Sequence, residues 1–150
     1  MSPVEQLRAG KAYFAALGLD VSHFGAIWHI FKVGQLMETD LNHVSGRHGL
    51  SIADFHLLSA LMMSDPAPMR ATDLASALNV SNAALSGRVS RLAERGLLTC
   101  TESTTDRRMK MLQHTAGGAE KVQLIARDLE EVGRFVHHYR QLPEADREAL

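Results

Sequence analysis

At 150 residues the chain has room for one ordinary domain, and its 45% hydrophobic and 22% charged residues are the balance of a globular protein, not a disordered one. The net charge of −1 is unevenly spread: residues 69–121 hold eight basic and five acidic side chains, leaving that stretch at +3 and the rest at −4, which suits a module touching a polyanion inside flanks with another task. No apolar run nears the roughly 20 residues that cross a bilayer, no signal pattern opens the chain, and the single cysteine, Cys100, excludes a disulfide framework and a Cys-based zinc knuckle, so a cytoplasmic location with no membrane partner is expected.

Aromatics at 5% and only four prolines favour helices over a sheet sandwich. The first twenty residues show no firm period, and Gly18 and Asp20 separate them from the next segment. Over residues 22–44 two apolar sets recur at helical spacing, one of Phe24, Ile27, Trp28 and Phe31, the other of Ile30, Val33, Met37, Leu41 and Val44. They predict a long helix contacted from more than one side, ended by Gly46 and Gly49. Ser51 with Asp54 reads as the cap of a shorter helix that turns Phe55, Leu58, Leu61 and Met62 inward. Two prolines make residues 64–68 a loop.

Thr72 is placed to cap a helix holding Leu74, Ala75 and Leu78, Asn79 suits a tight left-handed turn, and Ser81 caps the next helix. In that helix Leu85, Val89 and Leu92 form the inward stripe, and Gly96 closes it. Segments 97–101 and 109–113 are strand-like around a polar tip at 102–108, a hairpin. After Thr115 a long helix carries Val122, Ile125, Leu129, Val132, Val136 and Tyr139 at the steps of a coiled-coil seam. Pro143 interrupts it, and residues 143–150 begin one more helix. The expected fold is mainly α, a winged helix-turn-helix with a two-stranded β-hairpin wing and long terminal dimerisation helices.

A helix pair leading into a basic hairpin points to DNA. The amino-terminal half of the second helix would enter the major groove, with Asn82, Ala83 and Ser86 near base edges. Ser81 and the amides beside it would hold a phosphate at the helix start, while Arg91 would meet backbone phosphate. At the hairpin tip Asp106 precedes Arg107 and Arg108, and a carboxylate two residues before an arginine can aim its guanidinium into a narrow minor groove.

These residues carry a resemblance. From Leu50 to Gly118 the words Asp73-Leu74-Ala75, Val80-Ser81, Arg91-Leu92, Gly96-Leu97-Leu98, Asp106-Arg107-Arg108 and Thr115 with Gly118 stand in the order and spacing of the multiple-antibiotic-resistance (MarR) winged-helix regulators, which the chain resembles. The resemblance implies one MarR-type domain over residues 1–150, with dimerisation helices at about 22–49 and 116–150 and the DNA-binding module at about 50–115. It implies a homodimeric repressor of a pseudo-palindromic operator in double-stranded DNA, relieved by a small ligand. Carried over residue by residue, it gives base contacts to Asn82, Ser86 and Arg88, and a minor-groove role to Arg108 with Asp106 as its orienting partner. The chain departs from the family at Cys100, where arginine is frequent, and at His114, where leucine is usual. Arg88 is shared with the aromatic-acid and urate-responsive branch; Trp28 matches that branch's helix-one tryptophan, whereas His56 stands where its carboxylate should be.

Other chemistries are weaker. Eight histidines invite a metal-sensing reading, with Glu38, Asp40 and His43 as ligands, yet residues two apart on a helix diverge and no cysteine or i, i+4 histidine pair joins them, so no metal site is expected. Cys100 invites a redox-sensing reading, but its place at the start of the wing argues for an incidental thiol. Trp28, His29, His56 and Met62, on helices that should face each other, are the candidate pocket for a small aromatic or phenolic effector. The chain holds no phosphate loop, serine elbow or coupled Cys–His spacing, so neither enzyme activity nor a cofactor is expected. A winged-helix protein-interaction module is the rival reading, distinguished by the steep salt dependence that DNA binding requires.

Overall fold

The computed structural model describes every residue except Thr105, Arg107 and Leu150. Its amino terminus forms a helix that periodicity does not announce, α1 (Pro3–Ala16), started by a reciprocal capping box between Ser2 and Glu5. None of its side chains is buried, so there was no apolar stripe to find. The second helix, α2 (Phe24–Arg47), runs through Gly46 and stops only where Gly49 takes the left-handed φ of +72° that a side chain would oppose. α3 (Ile52–Met63) begins at the predicted capping box of Ser51 and Asp54 and buries Leu57, Leu58 and Leu61.

The loop after α3 leads into β1 (Met69–Arg70), which passes directly into α4 (Ala71–Ala77). Thr72 therefore lies inside α4 instead of capping it; Arg70 holds the N-cap position and makes no side-chain cap bond. Asn79 turns the chain with φ +52°, and α5 (Asn82–Glu94) comes next, with the Ser81 hydroxyl accepting the Ala84 amide. The hairpin is β2 (Leu98–Glu102) and β3 (Lys110–His114), one residue later than expected, with Leu98 opposite His114 and Cys100 opposite Leu112. β1 joins it, pairing Met69 with Leu112 in the order β1-β3-β2, so the wing is rooted in a three-stranded sheet and not two strands alone. Two residues are too few to show alternation.

α6 (Ala116–Val132), α7 (Arg134–Arg140) and α8 (Glu144–Ala149) complete the chain. The predicted continuous seam is broken at Gly133, where a Cβ would collide with the Leu129 carbonyl oxygen. The new helix is capped from a distance: buried Asp40 of α2 accepts the Phe135 amide at 2.9 Å and the Arg134 Nε at 3.2 Å. Val122 and Ile125 also leave the seam, packing into the same core as Val44, Leu58, Leu61, Leu85 and Leu112. Leu129 packs against that core, Val136 and Tyr139 are half-buried, and Val132 is the exposed member of the predicted seam, at 52%.

The core thus bolts the winged module to the helices. Thr115 does this at one joint, donating its hydroxyl to the Gly96 carbonyl at 2.7 Å and accepting the Gly118 amide at 3.1 Å. Gly118 sits so close to the Leu97 carbonyl that no Cβ fits. His114 ties β3 to the loop before β1 through Asp65, at 3.3 Å. His48, at the end of α2, bonds Asp128 of α6 at 2.8 Å.

Candidate nucleic-acid interface

α5 buries Leu85, Val89 and Leu92 and exposes the rest of its surface, as steps of three and four residues require. The flank carrying Asn82 and Ser86, one turn apart, faces the wing. Between that flank, the start of α4 and the sheet lies a cleft of about 380 Å3. Asn82 and Ser86 line one wall, and Arg70, Arg108 and Lys110 are the cations around it. No acidic side chain lines the cleft among the described residues. Uncompensated cations beside neutral hydrogen-bonding side chains are the arrangement that phosphate and base edges need.

The structure therefore brings Asn82, Ser86 and Arg108 together. Ala83 is exposed on the outward face of α5. Arg88 and Arg91 lie on the opposite flank by helical rotation; Arg88 is half-buried, and Arg91 points toward Asp54 at 3.9 Å, too long for a hydrogen bond. The Ser81 hydroxyl is engaged in its own cap. Asp106 meets Arg108 through the backbone: its carboxylate accepts the Arg108 amide at 2.9 Å, an Asx turn that shapes the tip, and no bond from the guanidinium to Asp106 is present among the described residues. Arg107 lies outside the described residues.

Sequence reasoning misses Arg70 and Lys110 as site residues. Lys110 stands one strand residue from the tip, and Arg70 is far from the hairpin in sequence; only the pairing of β1 with β3 brings the two to one cleft. Cys100 also lines it and is exposed.

The cavities of about 380, 320 and 530 Å3 are not lined by Trp28, His29, His56 or Met62. Trp28 stacks on Phe24 with Lys32 4.9 Å above its ring centroid, Met62 packs on the core, and His29 and His56 are exposed. Asp40, a metal-ligand candidate by sequence, is committed to α7 and Arg134. Among the described residues no group of three His, Cys, Asp or Glu side chains is placed to hold a metal ion, and no helix is long and apolar enough to cross a membrane.

Residues 48–109 match the model of the MarR family. No curated protein matches the chain in sequence. Among solved structures, apo MarR from E. coli is 25% identical, covering 80% of this chain and 85% of its own with a TM-score of 0.65. AbsC, a MarR-family transcriptional regulator from Streptomyces coelicolor, is 23% identical over 87% of this chain and 88% of its own, TM-score 0.70. The transcriptional repressor CouR, solved on a 23-mer DNA duplex, is 20% identical over 87% and 92%, TM-score 0.70. The family's members are transcription regulators, and the helices flanking the matched module complete the fold of those structures. Residues 48–109 are thus similar to the MarR family, and the chain shares the winged-helix fold of those regulators.

Proposed function

We propose that the protein is a non-enzymatic DNA-binding transcriptional regulator, acting in the cytoplasm as a homodimeric repressor of a pseudo-palindromic operator and relieved by a small ligand. The observation that carries the reading is the cleft between α5 and the wing, free of acids among the described residues, with Asn82 and Ser86 on one side and Arg70, Arg108 and Lys110 around it. Asn82 and Ser86 are placed to read base edges, Arg108 to enter the minor groove from a tip shaped by Asp106, and Arg70 and Lys110 to neutralise phosphates. Arg88 and Arg91 serve the outer flank, where they meet backbone. The MarR-type domain spans residues 1–150.

Dimerisation is supported by apolar side chains that the single chain leaves in water. On α2, Ile27, Ile30 and Phe31 are 58%, 73% and 56% exposed, and Val132 and Leu142 add to the outward apolar surface. Apolar area of this kind marks an interface. A twofold pair would set its recognition helices about one DNA turn apart, reading half-sites roughly 10 base pairs centre to centre. A ligand that prefers one dimer shape would change that separation. A gel-shift on the DNA upstream of the protein's own gene, repeated with aromatic acids, tests the reading: a discrete complex that dissolves with one compound supports it, and no complex at low salt refutes it.

A further inference from the structure

A helix lying in the major groove has a phosphate strand on each side, and the cleft supplies cations for one of them. On the other flank of α5 stand Arg88, half-buried, and Arg91, whose side chain is 67% exposed. The acid that faces Arg91 is unusual. Asp54 of α3 is only 9% exposed, and its Oδ2 accepts the Ser51 amide at 3.2 Å to close the capping box. That task takes one oxygen and no charge, since an amide oxygen serves a capping box as well. The other oxygen, Oδ1, is buried and accepts no hydrogen bond among the described residues. The cation it faces is the Arg91 guanidinium, 3.9 Å away. Other arginines meet their acids differently. Arg134 and Arg140 spend N–H donors on Asp40 and Glu130 at 3.2 and 3.1 Å, and Arg47 shares Asp128 with His48. Arg91 stands beside a carboxylate without bonding to it, so its donor fork stays open.

We infer that Asp54 is a positioning residue for DNA binding, its buried carboxylate holding the Arg91 guanidinium toward the outer phosphate strand. A guanidinium is a planar fork with donors on more than one edge, so it can face Asp54 with one nitrogen and give the others to a phosphate. A long side chain already held at one end loses less freedom when the phosphate arrives. The inference rests on the DNA-binding reading and adds to it the group that aims Arg91.

The sign of the effect separates positioning from plain charge. An acid beside a polyanion repels it, so neutralising a carboxylate that acts through its field alone would tighten binding. Neutralising one that aims Arg91 would weaken it. The experiment is a fluorescence-anisotropy titration of the full-length protein with a labelled duplex of mixed sequence, about three helical turns long, because phosphate contacts carry no sequence information. Asp54→Asn keeps an oxygen for the Ser51 amide and is expected to bind roughly three- to tenfold more weakly, the cost of ordering a free arginine. Asp54→Glu, which keeps both charge and cap, should bind like wild type. Arg91→Ala should flatten the salt dependence by about one unit per subunit, and adding Asp54→Asn to it should cost nothing further. Arg91→Lys leaves α3 untouched and should weaken binding at unchanged charge, which keeps the test decisive if Asp54→Asn fails to fold. Tighter binding by Asp54→Asn, an equal loss with Arg91 present or absent, no rescue by Asp54→Glu, or wild-type affinity in Arg91→Lys overturns the inference. Wild-type protein that ignores the duplex at low salt overturns the DNA-binding reading along with it.

Discussion

At the scale of single residues, Gly118 fixes α6 against the sheet and Asp40 fixes α7 against α2. Gly118 touches the Leu97 carbonyl, so Gly118→Ala must push α6 away from the sheet. That change is expected to cost about 2 kcal/mol or more, lowering the melting temperature by roughly 4–8 °C. Its neighbour is the control: a Cβ on Gly117 meets the Gly96 carbonyl oxygen at an ordinary 3.7 Å, so Gly117→Ala should melt no lower than wild type. Asp40 is charged and buried because it caps α7 and pairs with Arg134. Removing it in Asp40→Ala strands the Phe135 amide and is expected to destabilise by about 1–3 kcal/mol in urea unfolding.

At the scale of elements, the proposed function divides the work between α5 and the sheet that carries the wing. Asn82→Ala or Ser86→Ala should cost about 1–3 kcal/mol on the preferred operator and relax base preference there. Lys110→Ala or Arg70→Ala should instead weaken binding evenly on all sequences, measurable as parallel shifts across a set of operator variants. The sequence made the helix pair legible because its signals are local: Ser51 with Asp54, Asn79, Ser81 and the stripe Leu85, Val89, Leu92 each act within a few residues. What it concealed depends on distant partners. β1 has two residues and exists only because β3 lies beside it, and with it comes Arg70. The cap of α7 is on α2, so the break at Gly133 hid inside a run of well-spaced apolar residues. α1 had a local signal after all, the Ser2–Glu5 capping box, but no buried face to draw attention to it. Asp106 and Arg108 sit where the residues suggested, while the bond joining them goes to backbone, a choice that residue identity does not reveal.

At the scale of the whole molecule, one surface is dry on one side only. Ile30 and Phe31 stand out from α2 with nothing among the described residues to cover them. Ile30→Glu with Phe31→Glu is expected to yield a folded monomer in sedimentation with unchanged far-ultraviolet circular dichroism, and a large loss of operator affinity because half the contacts go. A variant that remains dimeric would place the interface elsewhere. The cleft makes the opposite use of exposure, with Arg70, Arg108 and Lys110 around it and no acid lining it among the described residues.

That cleft is the centre of the account, and the dependence of operator affinity on salt tests it most directly. Each phosphate neutralised contributes about 0.9 to the slope of log affinity against log salt. The wild-type slope should be steep, and replacing Arg70 and Lys110 together by Ala should flatten it by about two units per subunit, on any DNA sequence. An unchanged slope in the double variant would contradict the account, since those cations of the cleft would then not be meeting phosphate.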